Sequence, residues 1–383
     1  MQKLHAEFGL AQLSKVGEEL CGDNVDIVRT PEATIIVMSD GLGSGVKANI
    51  LATLTTKIAS VMLKRGIPLE DVVNTIAETL PVCRQRKIAY STLHIVKISP
   101  DGQTTVVEFD CPATFLVRRG KVIQFPTQEK IVSGKTIREG ELLLQEEDIL
   151  VAVTDGVLHA GIGGLLKLGW GWKGVAAQIE SEYQGCNSAE LIGQHLINCC
   201  EGYYVGRPGD DSTALVIKMR YPQQLTILTG PPHDAAYDEP LVHRLLAAAG
   251  KKVVAGGTTA QIVSRIIQSP LKVELTCHDP QIPPIGYLEG IDLVTEGVLT
   301  LHAAVDRLAD SKNLRRSNKQ DGATLLAKLL ADADKINIIA GLAVNPAHQN
   351  PSFPMQMNIK AQVLNKLKAG LEAKGKEVTI EWI

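Results

Sequence analysis

The sequence predicts an α/β protein of two domains, and three observations carry that expectation. In the first 220 residues, apolar runs pair around Asp101-Gly102 and Arg119-Gly120, the pattern of antiparallel hairpins. After "YPQQ" at 221–224, strand-like runs alternate with helical ones, which predicts a parallel sheet. A length of 383 residues, 45% apolar and 21% charged, suits two cores better than one. The expected domains are therefore 1–220 and 221–383.

"ATIIVMSDG" reads as a buried strand ending in a turn, and "VKANILATLTTKIASVMLKRG" as a helix that stops at Gly66. A second helix is expected over "PLEDVVNTIAETLP", with Pro68 in its first turn and acidic residues beside it. "YSTLHIVKISPDGQTTVVEFD" and "ATFLVRRGKVIQF" supply the two hairpins, and "DILVAVTDGV" is a strand that runs into Asp155-Gly156. "NSAELIGQHLINCCEG" is a helix capped by Asn187 or Ser188, and "DDSTALVIKMR" opens the last strand of this half. In the second half, strands are expected at "LTILTGPP", "KKVVAGG", "KVELTC", "IDLVTEG", "KINIIAG" and "EVTIEWI". Helices are expected over "EPLVHRLLAAAG", "TTAQIVSRII", "VLTLHAAVDRLA" and "GATLLAKLLADA", and near 359–374.

A formal charge of -3 and a pI of about 6.3 give no basic footprint for nucleic acid. Seven cysteines, odd in number and without a CxxC pair, suit buried reduced thiols in a cytoplasm better than a disulfide framework. The N-terminus lacks the apolar core of a signal peptide, and no run approaches the roughly 20 apolar residues that span a bilayer. A cytoplasmic protein with no membrane partner is the expectation.

Carboxylates stand at strand ends or turns of the first half: Asp23 in "CGDNVD", Asp40 in "MSDGLG", Asp155 in "VTDGV", and Asp210 with Asp211 in "GDDSTA". A lone Asp-Gly is most simply a turn. Acids gathered in one site repel one another and stay ionised together only if cations compensate them. Oxygen ligands without His or Cys favour hard ions, Mg2+ or Mn2+, over zinc. "SDGLGSG" resembles a phosphate cradle in its glycines but lacks the Gly-Lys-Ser/Thr ending of a P-loop.

As an ordered set, "GDN" at 22–24, "SDGLGSG" at 39–45 followed by a helix, "TDGV" at 154–157 and "DDST" at 210–213 resemble the metal-dependent PPM (protein phosphatase 2C-like) phosphatases, in particular their SpoIIE-type branch. The resemblance covers about residues 1–220 and leaves 221–383 unrecognised. It implies an α-β-β-α sandwich, two antiparallel sheets flanked by helices, with a two-metal centre at one edge. It further implies hydrolysis of phosphoserine or phosphothreonine by attack of a metal-bridging water, with Mn2+ or Mg2+ as two ions and a third as an option. On that resemblance Asp40 bridges the metals and the Gly41 carbonyl binds one of them. Asp155 and Asp210 hold the second metal, Asp23 the first directly or through water, and Asp211 supports the set. The substrate it implies is a phosphoprotein of a bacterial signalling circuit. A regulatory partner at helices 46–81, which shift to assemble the metal site, is implied as well. The arginine that grips phosphate in eukaryotic members has no motif-placed counterpart; Arg29 merely lies nearby. Two other readings stay open, a non-catalytic phosphoprotein- or ligand-binding scaffold and a small-molecule phosphoester hydrolase.

In the second half, Gly256, Gly257, Thr258 and Thr259 precede a helix and form a candidate ligand loop, although helix capping explains them equally simply. His233, His243, His278, His302 and His348 form no metal-spaced cluster, and His278-Asp279 and Asp292 read more simply as turn residues.

Overall fold

The structure, a computed structural model, describes residues 3–79, 91–132, 134–185, 188–274, 281–310, 313–314, 317–343 and 356–383. The chain forms two compact units, Met1–Tyr221 and Pro222–Ile383.

The first unit contains two antiparallel sheets. One runs β2 (Asp23–Arg29), β3 (Thr34–Asp40), β4 (Leu93–Ile98), β5 (Gln103–Phe109), β9 (Lys135–Leu143), β8 (Gln128–Val132). The other runs β1 (His5–Leu13), β11 (Ser212–Arg220), β10 (Ile149–Val153), β6 (Phe115–Arg118), β7 (Lys121–Gln124). Alternation along each strand decides the layering, because successive side chains point to opposite faces. From β3, Ile36 and Met38 enter the core between the sheets, where Leu150, Ala152, Leu215 and Ile217 meet them. Ile35 and Val37 point the other way, onto Ala59 and Leu63 of α1 (Gly45–Lys64) and Val72 and Ile76 of α2 (Leu69–Thr79). Val151 and Val216 likewise face α4 (Gly171–Gly185) and α5 (Ala189–Tyr203). The result is the four-layer α-β-β-α arrangement.

Helix α1, 20 residues long, is by length and composition apolar enough to cross a bilayer. This corrects the expectation that no run approaches that length. Its inner face is a stripe of small residues, Ala48, Ala52, Thr55, Thr56, Ala59 and Ser60, all buried on the sheet. Small side chains let the helix axis lie close to β2 and β3.

Strands β1, β8 and β9 and helix α4 carry no clear sequence signal. Strand β8, "QEKIV", is an edge strand exposed at four of its five positions, and α4 includes Gly171, Gly174 and Gly185. Ser188 is the N-cap of α5; Asn187, the other expected cap, lies outside the described residues. So do Cys83, Cys186, Cys277, His278, Asp279 and His348, and the end of the 46–81 segment.

The second unit is a seven-stranded sheet with helices on both faces. Its order is β14 (Lys272–Val273), β15 (Gly286–Leu288), β16 (Ile291–Thr295), β13 (Lys251–Ala255), β12 (Gln224–Thr229), β17 (Lys335–Ala340), β18 (Glu377–Trp382). Strands β16 to β18 in that order are parallel; β14 and β15 add an antiparallel edge, so the sheet is mixed where a parallel one was expected. Helices α6 (Asp238–Ala247) and α7 (Gly257–Ile267) cover one face. Helices α8 (Val298–Ala309), α9 (Gly322–Asp332) and α10 (Gln356–Glu372) cover the other. Chain order reverses between β12 and β17, the point at which such sheets open a crevice at their carboxyl ends.

Candidate metal centre

The β2–β3 ladder sets Asp23 directly opposite Asp40. Strand β10 delivers Asp155 at the start of the short helix α3 (Asp155–Leu158), and its neighbour β11 begins just after Asp210 and Asp211. Gly156 makes the approach possible: a Cβ there would press into the backbone of Asp211 and lie 2.7 Å from Ser212 Oγ. The Gly156 carbonyl accepts a hydrogen bond of 2.7 Å from Tyr204. Hydrogen bonds from Thr154 and Thr213 to Asp23 hold strand ends of the two sheets at one edge.

Asp23 is 2% exposed. Its Oδ2 accepts from Thr154 Oγ1 at 2.9 Å and from Thr213 Oγ1 at 2.6 Å, while Oδ1 has no hydrogen-bond partner. Burial pushes its carboxyl up to about 7; the two threonine hydrogen bonds pull it down, and the charges of Asp211 and Asp155 push it further up. Asp40 is pushed up to about 9, first by burial, then by the charges of Asp23 and Asp155. Asp210 is raised by burial and by Asp155, and its Oδ1 accepts from the Asp211 amide at 3.0 Å. Asp211, 4% exposed, accepts from the Lys15 amide at 3.0 Å through Oδ1 and leaves Oδ2 without a partner. Asp155 directs Oδ2 toward His159 Nδ1 at 3.7 Å and also leaves Oδ1 unpartnered.

All five sequence-derived aspartates therefore lie within mutual electrostatic reach. Among the described residues, no three His, Cys, Asp or Glu side chains yet converge closely enough to enclose an ion. Gly41 is buried beside them and bridges to Ser91; a Cβ on it would stand 2.9 Å from Ala48 Cα and closer still to the rest of that backbone. That contact fixes α1 against the Asp40 loop. Gly43 and Gly45 have φ of 106° and 69°, the left-handed turns that feed the chain into α1. Arg29 sits at the other end of β2, about 20 Å from Asp23 at strand rise. It lies over the Phe8 ring and donates to the Ala6 carbonyl, which gives it structural work far from the acids.

Sequence reasoning missed the roles of Thr154 and Thr213. Both sit inside the motifs "TDGV" and "DDST", immediately before and two residues after acidic positions, and that placement was the available signal.

Two packed antiparallel sheets flanked by helices, with an acidic cluster at one edge, define the PPM class of phosphatase domain. Residues 30–220 match the family described as Stage II sporulation protein E (SpoIIE), and the chain belongs to that family through this unit. Similar solved structures include the phosphatase domain of the cell fate determinant SpoIIE from Bacillus subtilis, at 19% identity and a TM-score of 0.44 over 58% of this chain and 95% of that one. The S. agalactiae serine/threonine phosphatase is 15% identical with a TM-score of 0.43, over 56% of this chain and 99% of that one. RsbX in complex with magnesium is 18% identical with a TM-score of 0.39, over 57% and 100%. No curated protein is similar enough to match the chain.

Proposed function

We propose that the first unit is a divalent-cation-dependent phosphatase acting on phosphoserine or phosphothreonine of a protein substrate. The observation that carries this reading is the set of buried carboxylate oxygens without hydrogen-bond partners, Asp23 Oδ1, Asp155 Oδ1 and Asp211 Oδ2, in one acidic cluster. An unsatisfied buried acceptor costs about 1–3 kcal/mol, more when charged, and a hard cation is the partner that removes that penalty from several acids at once. Asp23, Asp40, Asp155 and Asp210 would hold two ions, Mn2+ or Mg2+, with the Gly41 carbonyl and Asp211 in support. Bound there, the ions would supply positive charge for the phosphoryl oxygens and acidify a water for in-line attack.

The chain's own residues prepare the site. Thr154 and Thr213 fix one oxygen of Asp23 and so aim the other. Thr92 donates to the backbone of Asp40 through its amide at 2.9 Å and receives from the Asp40 amide through its hydroxyl at 2.9 Å, which holds the strand end in place. Outward on α1, Val46, Ile50 and Leu54 form an exposed apolar row, in keeping with a regulatory partner at this helix. The free thiols Cys21, Cys111, Cys199 and Cys200 support a cytoplasmic setting, and the family resemblance supports a bacterial signalling phosphoprotein as substrate.

Phosphate release tests the reading. With Mn2+, the full chain is expected to dephosphorylate a phosphoserine peptide in preference to an aryl phosphate, and chelator is expected to stop it. Activity that survives chelator would refute the cation dependence; preference for the aryl phosphate would favour a small-molecule hydrolase; no release from either would favour a binding scaffold.

A further inference from the structure

The second unit carries a polar cluster that the phosphatase reading does not use. At the carboxyl edge of its parallel strands, the turns after β12, β13, β16 and β17 meet through glycines. The Gly256 amide donates to the Thr295 carbonyl at 2.9 Å, and the Gly341 amide to the Thr229 carbonyl at 2.9 Å. A Cβ on Gly256 would stand 3.1 Å from Thr259 Oγ1 and 4.0 Å from the Gly230 amide, and one on Gly297 would stand 3.6 Å from Gly256 Cα. Gly230 has φ of 78° and Gly256 of 133°, so both turns depend on glycine, and a Cβ on Gly230 would strike Lys360 Nζ.

Polar groups gather close around these glycine turns. Thr259, 2% exposed in the first turn of α7, has no partner for its Oγ1 among the described residues. The α7 amides beside it are free of intrahelical bonds, as at any helix start. Lys360 reaches across from α10 and donates to the Thr229 and Gly341 carbonyls at 2.9 and 2.8 Å. No carboxylate pairs with it among the described residues, and a third proton remains for a ligand. Burial lowers its amine to about 8, as expected for an ammonium that lacks a counter-ion. Glu296, in the adjoining turn, has a buried Oε2 without a partner.

We propose that this edge binds a phosphorylated sugar compound, with its phosphate on the start of α7 between Thr259 and Lys360 and a neutral hydroxyl against Glu296. Helix amides, a hydroxyl and an ammonium match a phosphate's oxygens. A carboxylate nearby repels a second anionic group and accepts from a hydroxyl, which disfavours polyphosphates. A nucleoside monophosphate and a free sugar phosphate share this chemistry.

Titration calorimetry on the full chain in chelator, with AMP, ribose 5-phosphate and inorganic phosphate as probes, tests it. At least one sugar-bearing probe is expected to bind more tightly than inorganic phosphate. AMP binding without ribose 5-phosphate binding assigns a nucleotide, and binding of both assigns the sugar phosphate they share. Gly257→Glu is expected to weaken binding about tenfold or more by placing a carboxylate where the phosphate sits. Gly257 is exposed with open space around it, so this variant folds even if the buried change Lys360→Met does not. Asp40→Asn is expected to leave the affinity unchanged, which separates this site from the phosphatase centre. No binding at millimolar probe, equal affinity for inorganic phosphate alone, or affinity insensitive to Gly257→Glu overturns the proposal.

Discussion

Asp40→Asn is expected to lower kcat/KM for a phosphoserine peptide by on the order of 10²-fold or more, while the ion-free protein stays at least as stable as the wild type. In the proposed two-ion site, several kcal/mol of charge stabilisation would depend on the ions, and each 1.36 kcal/mol is tenfold in rate. Stability moves the other way because Asp40 is already pushed up to about 9 by burial and by Asp23 and Asp155, so its neutral form dominates without ions. Asn resembles that neutral form in shape and hydrogen-bonding capacity. The variant also separates two explanations of "SDG". Asn suits a turn as well as Asp does, so a merely conformational Asp40 would leave activity intact. Rates and thermal melts of the two proteins, measured with Mn2+ and with chelator, give the comparison.

The second large effect is a pH dependence that changes sign with ion loading. Asp23 and Asp40 rise from 3.8 to about 7 and about 9, so between pH 4 and pH 9 the ion-free folded state holds more protons than the unfolded chain. Stability therefore falls as pH rises through that window, by about 1.4 kcal/mol per pH unit for each extra proton held. Cations bind the ionised acids, so saturating Mn2+ is expected to restore stability most at the alkaline end and to release protons as it binds. Denaturant unfolding at pH 5.5 and 8.5, with Mn2+ and with chelator, measures both halves. An ion-free protein more stable at pH 8.5 than at 5.5 would contradict the account of the acidic cluster.

Sequence legibility followed the strength of local signals. Apolar runs ending in Asp40-Gly41 and Asp155-Gly156 announced both the strands and the acids at their ends, and "DDST" announced the third contributor. Strand β8 was hidden because an exposed edge strand carries mixed polar residues with no apolar face to read, and β9, although paired on both sides, because "KTIREGELL" shows little apolar alternation. The hold of Thr154 and Thr213 on Asp23 spans 131 and 190 residues of sequence, and only strand pairing brings them together. In the second unit, the loop Gly256, Gly257, Thr258 and Thr259 was visible as a helix start. Lys360, which turns that start into an anion-binding candidate, comes from a helix about a hundred residues later and has no motif of its own. Strand β14 lies within the expected "KVELTC" run, but its antiparallel partner β15 was missed because a strand of three residues is too short to show a period.

The central claim is that the acids at the edge of the first unit hold divalent cations. Crystals grown with Mn2+, measured for anomalous scattering at the manganese edge, test it most directly. Two strong peaks within ligand distance of Asp23, Asp40, Asp155 and Asp210 are the predicted result; an active, Mn2+-saturated protein with no manganese at these carboxylates would contradict it.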